Sequence, residues 1–190
     1  MKTRNIMIVG VGGQGSLLAS RLLGRLLITR GYDVKVSEVH GMSQRGGSVV
    51  TYVRFGDKVY SPIVDKGEAD FIVSFELLEA ARYTEDLKKG GKIVTSTQKI
   101  NPMPVITGAA AYPDGLIEKM QAAGIDVDAI DALSLAEAAG SAKAVNIVLM
   151  GRLSRWFDFS QEEWMQAIEQ TVPAKFLELN KKAFMLGREA

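Results

Sequence analysis

The chain has no cysteine among its 190 residues and a single histidine, His40. Without a thiolate it cannot hold an iron–sulfur cluster in the usual way, close a disulfide or use a cysteine nucleophile. One imidazole gives no basis for a histidine-rich metal site, so no metal ligand is assigned. Apolar runs are only a handful of residues long, too short to cross a bilayer, and the N-terminus lacks the apolar region and cleavage site of a signal peptide. Net charge is +1, so no basic field exists to attract nucleic acid or an anionic membrane. These absences predict a cytoplasmic protein without nucleic-acid or membrane partners. If it serves a redox system, the redox centre is elsewhere.

What is present is an alternation of short apolar runs and amphipathic segments, the pattern of an α/β sandwich with a mostly parallel sheet. Ile6–Val11 is nearly all apolar, as in a central strand covered on both faces. It runs into "GVGGQGS", after which Leu17, Leu18, Leu22, Leu23, Leu26 and Leu27 recur at helical spacing until Gly31. "YDVKVSEV" comes next as a second strand. "SVVTYVRFGDKVYSPIV" then reads as two alternating runs joined at Gly56-Asp57, a β-hairpin inserted where a crossover helix is usual.

Further on come the strand "DFIVSF", a helix from about Leu77 to Lys88, a Gly90-Gly91 stop and the strand "KIVTST". A looser section punctuated by Pro102, Pro104 and Pro113 precedes a helix near Gly115–Ala123. A short strand with Val127 and Ile130, the helix "SLAEAAG" and a buried helix "AVNIVLMGRL" complete the middle of the chain. Ser160 and Glu163 have capping-box spacing, and Pro173 separates the last two helices. The expectation is one domain over residues 1–190: a Rossmann-like, mostly parallel sheet with helices on both faces and an inserted β-hairpin.

Two loops concentrate the polar chemistry. Gly10, Gly12 and Gly15 fit G-x-G-x-x-G between a strand and a helix, where backbone N–H groups and the helix dipole can receive an anion. Gly13 and Gln14 belong to the same candidate cofactor loop, and Glu38 falls near the position of a ribose-binding acid. The same glycines also serve if the helix merely packs closely on the strand. After the second strand, His40, Ser43, Gln44 and Arg45 precede Gly46-Gly47, and Glu76 should reach the same carboxyl edge of the sheet. Arg45 suits a carboxylate or phosphate. His40 and Arg45 could equally bond to loop carbonyls. With no nucleophile–base pair and no metal cluster, the set looks like half a site. Asn146, polar on an apolar helix, needs a hydrogen-bond partner and could brace a glycine loop.

Four motifs in order, "GVGGQG", "EVHGMSQRGGSV", "SFELLEA" and "NIVLMG", resemble the gamma-type subunit of 2-oxoacid:ferredoxin oxidoreductases, and most of all the small subunit of the indolepyruvate type. The "HGMSQRGG" form favours arylpyruvate over pyruvate members. The resemblance implies a larger partner subunit that binds thiamine diphosphate and Mg2+ and carries [4Fe–4S] clusters. It also implies coenzyme A as co-substrate and ferredoxin as acceptor. No cofactor is assigned firmly to this chain. His40, Ser43, Gln44, Arg45 and Glu76 become active-site-lining candidates, with Gly41, Gly46 and Gly47 in the same loop. Isolated, the chain would be inactive and able to pair with itself through the surface its partner covers. The remaining readings are a stand-alone nucleotide-binding oxidoreductase and a regulatory module.

Overall fold

The computed structural model describes residues 2–38, 43 and 46–190. His40, Gly41, Gln44 and Arg45 lie outside the described residues. Six strands form one sheet: β1 (Arg4–Val11), β2 (Asp33–Glu38), β3 (Ser48–Gly56), β4 (Ala69–Ser74), β5 (Leu87–Ser96) and β6 (Asp126–Ile130), in the order β2-β3-β1-β4-β5-β6. β1, β4, β5 and β6 run parallel, while β3 is antiparallel to both β1 and β2. Helices are α1 (Ser16–Thr29), α2 (Leu77–Arg82), α3 (Met103–Ile106), α4 (Leu116–Ala122), α5 (Ala132–Ala139), α6 (Val145–Leu153), α7 (Gln161–Thr171) and α8 (Leu177–Glu189).

β1 shows why a nearly all-apolar run makes a central strand. Ile6 and Ile8 point into the larger core beneath α1, α5, α6, α7 and α8, and Met7 and Val9 into a smaller core beneath α2 and α4. Both faces are covered, so both sets of alternate residues are apolar. The larger core centres on Phe157, whose ring lies 5.5 Å from Phe71, 5.6 Å from Phe159 and 6.5 Å from Trp164. α6 and α8 cross closely: a Cβ on Gly151 would lie 2.0 Å from Phe184 O, and one on Gly187 1.9 Å from Val148 O. Only glycine fits at that crossing. Arg152 on α6 grips Asp128 on β6 through Nε at 2.8 and 2.9 Å and Nη2 at 2.7 Å. The Ser160–Glu163 capping box opens α7 as expected, and Glu163 also receives Arg30 Nη2 at 2.8 Å, joining α7 to the end of α1.

Three expectations are corrected. The antiparallel insertion exists, but its arms are β2 and β3; no strand comes after Gly56-Asp57, and residues 57–68 form a loop. β3 already has ladder partners on both edges, leaving none for "KVYSPIV". That run serves instead as an acceptor, its Ser61 and Ile63 carbonyls taking Arg54 Nη1 at 2.9 and 2.6 Å. The helix predicted over Leu77–Lys88 ends at Arg82, and β5 begins at Leu87. Gly90-Gly91 lies within β5, where the pairing with β4 shifts between Ala69 and Phe71. The proline-rich section contains one helical turn, α3, which periodicity did not reveal.

Candidate functional site

The glycine loop leaves β1 at the carboxyl edge of the sheet and is braced from two sides by amides. Gln14 Oε1 accepts from Val11 N at 2.8 Å, and Gln14 Nε2 donates to Phe75 O at 3.0 Å. Its amide also lies 3.4 Å from Gln98 Oε1, so the side chain ties the loop to the ends of β4 and β5. From behind, Asn146 Nδ2 donates to Gly15 O at 3.0 Å, and Asn146 Oδ1 accepts from Ile147 N at 2.8 Å. This is the brace its place on an apolar helix suggested. Gly15 has φ +86°, and a Cβ there would lie 2.4 Å from Asn146 Nδ2. Both conditions demand glycine. No side chain caps α1. Its start lines a crevice of about 260 Å³ with Gly12, Gly13, Val49 and Thr51.

The two polar loops do meet. Gly12 N donates to Gly47 O at 2.8 Å, and Gly47 N donates to Ser43 O at 3.0 Å. Of the four candidates in the "HGMSQRGG" loop, Ser43 is linked to the glycine loop only through Gly47, while His40, Gln44 and Arg45 lie outside the described residues. On the opposite side of β1 from the first crevice, a second cleft of about 260 Å³ is lined by Gly46, Gly47, Ser48, Glu79, Arg82 and Asn101, among others.

Glu76 reaches this edge but faces inward. Its carboxylate takes Glu79 N at 2.8 Å, Ile100 N at 3.1 Å and the Tyr112 hydroxyl at 2.5 Å, and the residue is 1% exposed. It caps α2 and ties down the segment after β5, with its acceptor capacity spent inside the protein. Burial and the bond to Glu76 push the Tyr112 phenol upward.

The acid that sequence reading passed over is Glu79, one helical turn further along the same "SFELLEA" run. It is 5% exposed, accepts from Ser48 Oγ, and pairs with Arg82 Nε at 3.2 Å. Burial raises its carboxyl above the ordinary range, against the opposing pull of Ser48 and Arg82. Its three-residue spacing from Glu76 at the start of a helix was the available signal.

Glu38 does not stand where a ribose acid would. β3 lies between β2 and β1, pairing Thr51 with Glu38 on one side and with Ile8 on the other. Two strand spacings, about 10 Å, therefore separate Glu38 from β1 instead of one. Its carboxylate accepts from Ser20 Oγ at 2.7 Å. A depression of about 690 Å³ runs along α1, β2 and α7 past Arg21, Arg25, Ile28 and Val36, away from the glycine loop. Among the described residues no group of three or more His, Asp or Glu side chains could hold a metal ion, and no helix is long and apolar enough to cross a membrane.

The family model described as pyruvate ferredoxin/flavodoxin oxidoreductase matches residues 5–190. The chain belongs to this family. It is similar to the indolepyruvate oxidoreductase subunit IorB of Thermococcus kodakarensis, 46% identical over 197 residues that cover 100% of the chain and 96% of the relative. The IorB subunit of Pyrococcus horikoshii is 47% identical with the same coverage. Among solved structures, the gamma subunit of a keto/oxoacid ferredoxin oxidoreductase from Geobacter sulfurreducens matches with a TM-score of 0.72 and 25% identity, covering 98% of this chain and 96% of that one. The resemblance read from the four motifs is thus borne out, and so is the α/β architecture. These relatives are each named as one subunit of an oxidoreductase.

Proposed function

We propose that the chain, acting as one domain over residues 1–190, is the cluster-free gamma-type subunit of a cytoplasmic indolepyruvate-type 2-oxoacid:ferredoxin oxidoreductase. The observation that carries this reading is full-length likeness to IorB subunits in a chain that has no cysteine and whose two polar loops converge at Gly12 and Gly47. The overall reaction converts an aryl pyruvate, coenzyme A and two oxidised ferredoxins into arylacetyl-coenzyme A, carbon dioxide, two reduced ferredoxins and a proton. When bound in the larger partner, thiamine diphosphate with Mg2+ would supply the electron sink for decarboxylation and [4Fe–4S] clusters a route for the electrons.

This chain's part is to shape the space around that chemistry. The loop that carries His40, Ser43, Gln44 and Arg45 contributes polar groups to the partner's active site or the coenzyme A path, and the chemistry of Arg45 suits a carboxylate or phosphate. Gly13 and Gly15 offer backbone N–H groups near the start of α1 to an anionic group, while Gly10 lies in β1 and the Gly12 N–H is taken by Gly47 O, so these two shape the loop. Gln14 and Glu76 act behind the surface: Gln14 holds the glycine loop, and Glu76 holds α2 and the segment after β5.

The rival reading, a stand-alone nucleotide enzyme, draws on the uncapped start of α1. It is weakened by the strand inserted between β1 and β2 and by the engagement of Glu38 with Ser20. In the complex co-expressed with its cluster-bearing partner, Arg45→Ala should lower arylpyruvate-dependent acceptor reduction at least ~10-fold, the scale of one lost charge-assisted contact. Full activity in both Arg45→Ala and His40→Ala would remove the loop from the chemistry.

A further inference from the structure

The segment between β2 and β3 is held at its two feet by the same pair of chemical groups, reached from opposite faces of the sheet. At the first foot, Glu38 ends β2 and accepts from Ser20 Oγ at 2.7 Å. Ser20 is fully buried on α1, and its hydroxyl also lies 3.1 Å from Leu17 O. The single hydrogen goes to the carboxylate, the nearer and charged acceptor. At the second foot, Ser48 opens β3 and donates to Glu79 on α2. Around Glu79 stand Arg82 Nε at 3.2 Å, the Tyr83 hydroxyl 3.4 Å from Ser48 Oγ, and Glu76, whose carboxylate caps the Glu79 N–H.

A carboxylate at a position as buried as Glu79 is costly unless it is hydrogen-bonded. α2 does not need it, because Glu76 already caps that helix. What Glu79 does accomplish is to fix Ser48, two residues beyond Gly46, while Gly12 fixes the carbonyl of Gly47 between them. Fixing Glu38 and Ser48 sets the two described points between which residues 39–47 run.

We infer that Glu38 and Glu79 are positioning residues: the Ser20–Glu38 and Ser48–Glu79 bridges set where the chain enters and leaves residues 39–47, and hence how the loop meets its partner. The bridges stand on geometry alone; their consequence for turnover rests on the proposed function. The test uses the full 190-residue chain, with residue-resolved amide exchange read at Gly12 and Gly47 and the amides of α6 as the internal control. Ser48→Ala and Glu79→Ala should speed exchange at Gly12 and Gly47 about tenfold, the factor one charge-assisted hydrogen bond supplies locally, with α6 unchanged. Glu79→Gln, which keeps an acceptor for Ser48, should restore most of the protection.

In the complex, Ser20→Ala and Ser48→Ala should each raise KM for the 2-oxoacid or coenzyme A several-fold with kcat within about twofold, and the double variant should raise it further. Unchanged exchange at Gly12 and Gly47, or an equal rise in α6, overturns the positioning role. Faster exchange with unchanged kinetics confirms the bridges and overturns the loop's part in the proposed reaction.

Discussion

Two loops share the carboxyl edge of the sheet, yet they are secured by different chemistry. The glycine loop is held by neutral amides, Gln14 from within and Asn146 from behind, both bonded to main-chain groups. The neighbouring segment is held at its feet by carboxylates, Glu38 and Glu79, bonded to serine hydroxyls. Amides do not titrate in the physiological range, so the first loop's geometry is indifferent to pH. Glu79 does titrate, its carboxyl raised by burial, so the foot at Ser48 is the one that responds to pH. The contrast teaches that neighbouring loop anchors on one sheet edge can rest on neutral amides in one case and on acids in the other.

The comparison can be broken most forcefully at Gly15. Gly15→Ala must adopt φ +86° and push against Asn146, so it should cost about 3 kcal/mol in chemical denaturation. Coupling to Asn146→Ala in a double-mutant cycle would locate the steric part of that loss. Gln14→Ala should cost less, about 1–2 kcal/mol, because it strands Val11 N and Phe75 O near the loop without straining the backbone. Neither variant should change the pH dependence of stability in the acid range.

Glu79→Gln sharpens the contrast from the other side. Burial raises the Glu79 carboxyl in the folded chain above its unfolded value, so the folded state binds the proton more tightly. That contribution is fully present below the unfolded value and is lost as pH rises through the raised folded one. Wild type should therefore lose stability relative to Glu79→Gln as pH rises from below the ordinary carboxylate range through the raised value, in a series of denaturant titrations. A wild-type curve parallel to that of the variant would mean that Ser48 and Arg82 fully compensate the burial.

Much of this was legible in the sequence because local rules and the fold agree. The near-continuous apolar run of β1 announced a two-sided strand, the Ser160–Glu163 spacing announced a capped helix, and an amide on an apolar helix announced a brace. Reading failed where long-range pairing decides. Whether "SVVTYVRFG" pairs with the run after it or with the strand before it depends on free edges in a sheet not yet assembled, and β3 took both β1 and β2. For Glu76, position along a strand gave the edge of the sheet but could not give the inward turn of the side chain. Glu79 was missed because its partner, Ser48, lies 31 residues away.

The central claim is that this chain supplies shape and polar groups to chemistry whose cofactors sit in another subunit. The direct measurement is acceptor reduction by the purified 190-residue chain with indolepyruvate and coenzyme A, alone and after co-expression with a cluster-bearing partner. The account predicts no turnover alone and turnover with the partner. Turnover by the chain alone would contradict it.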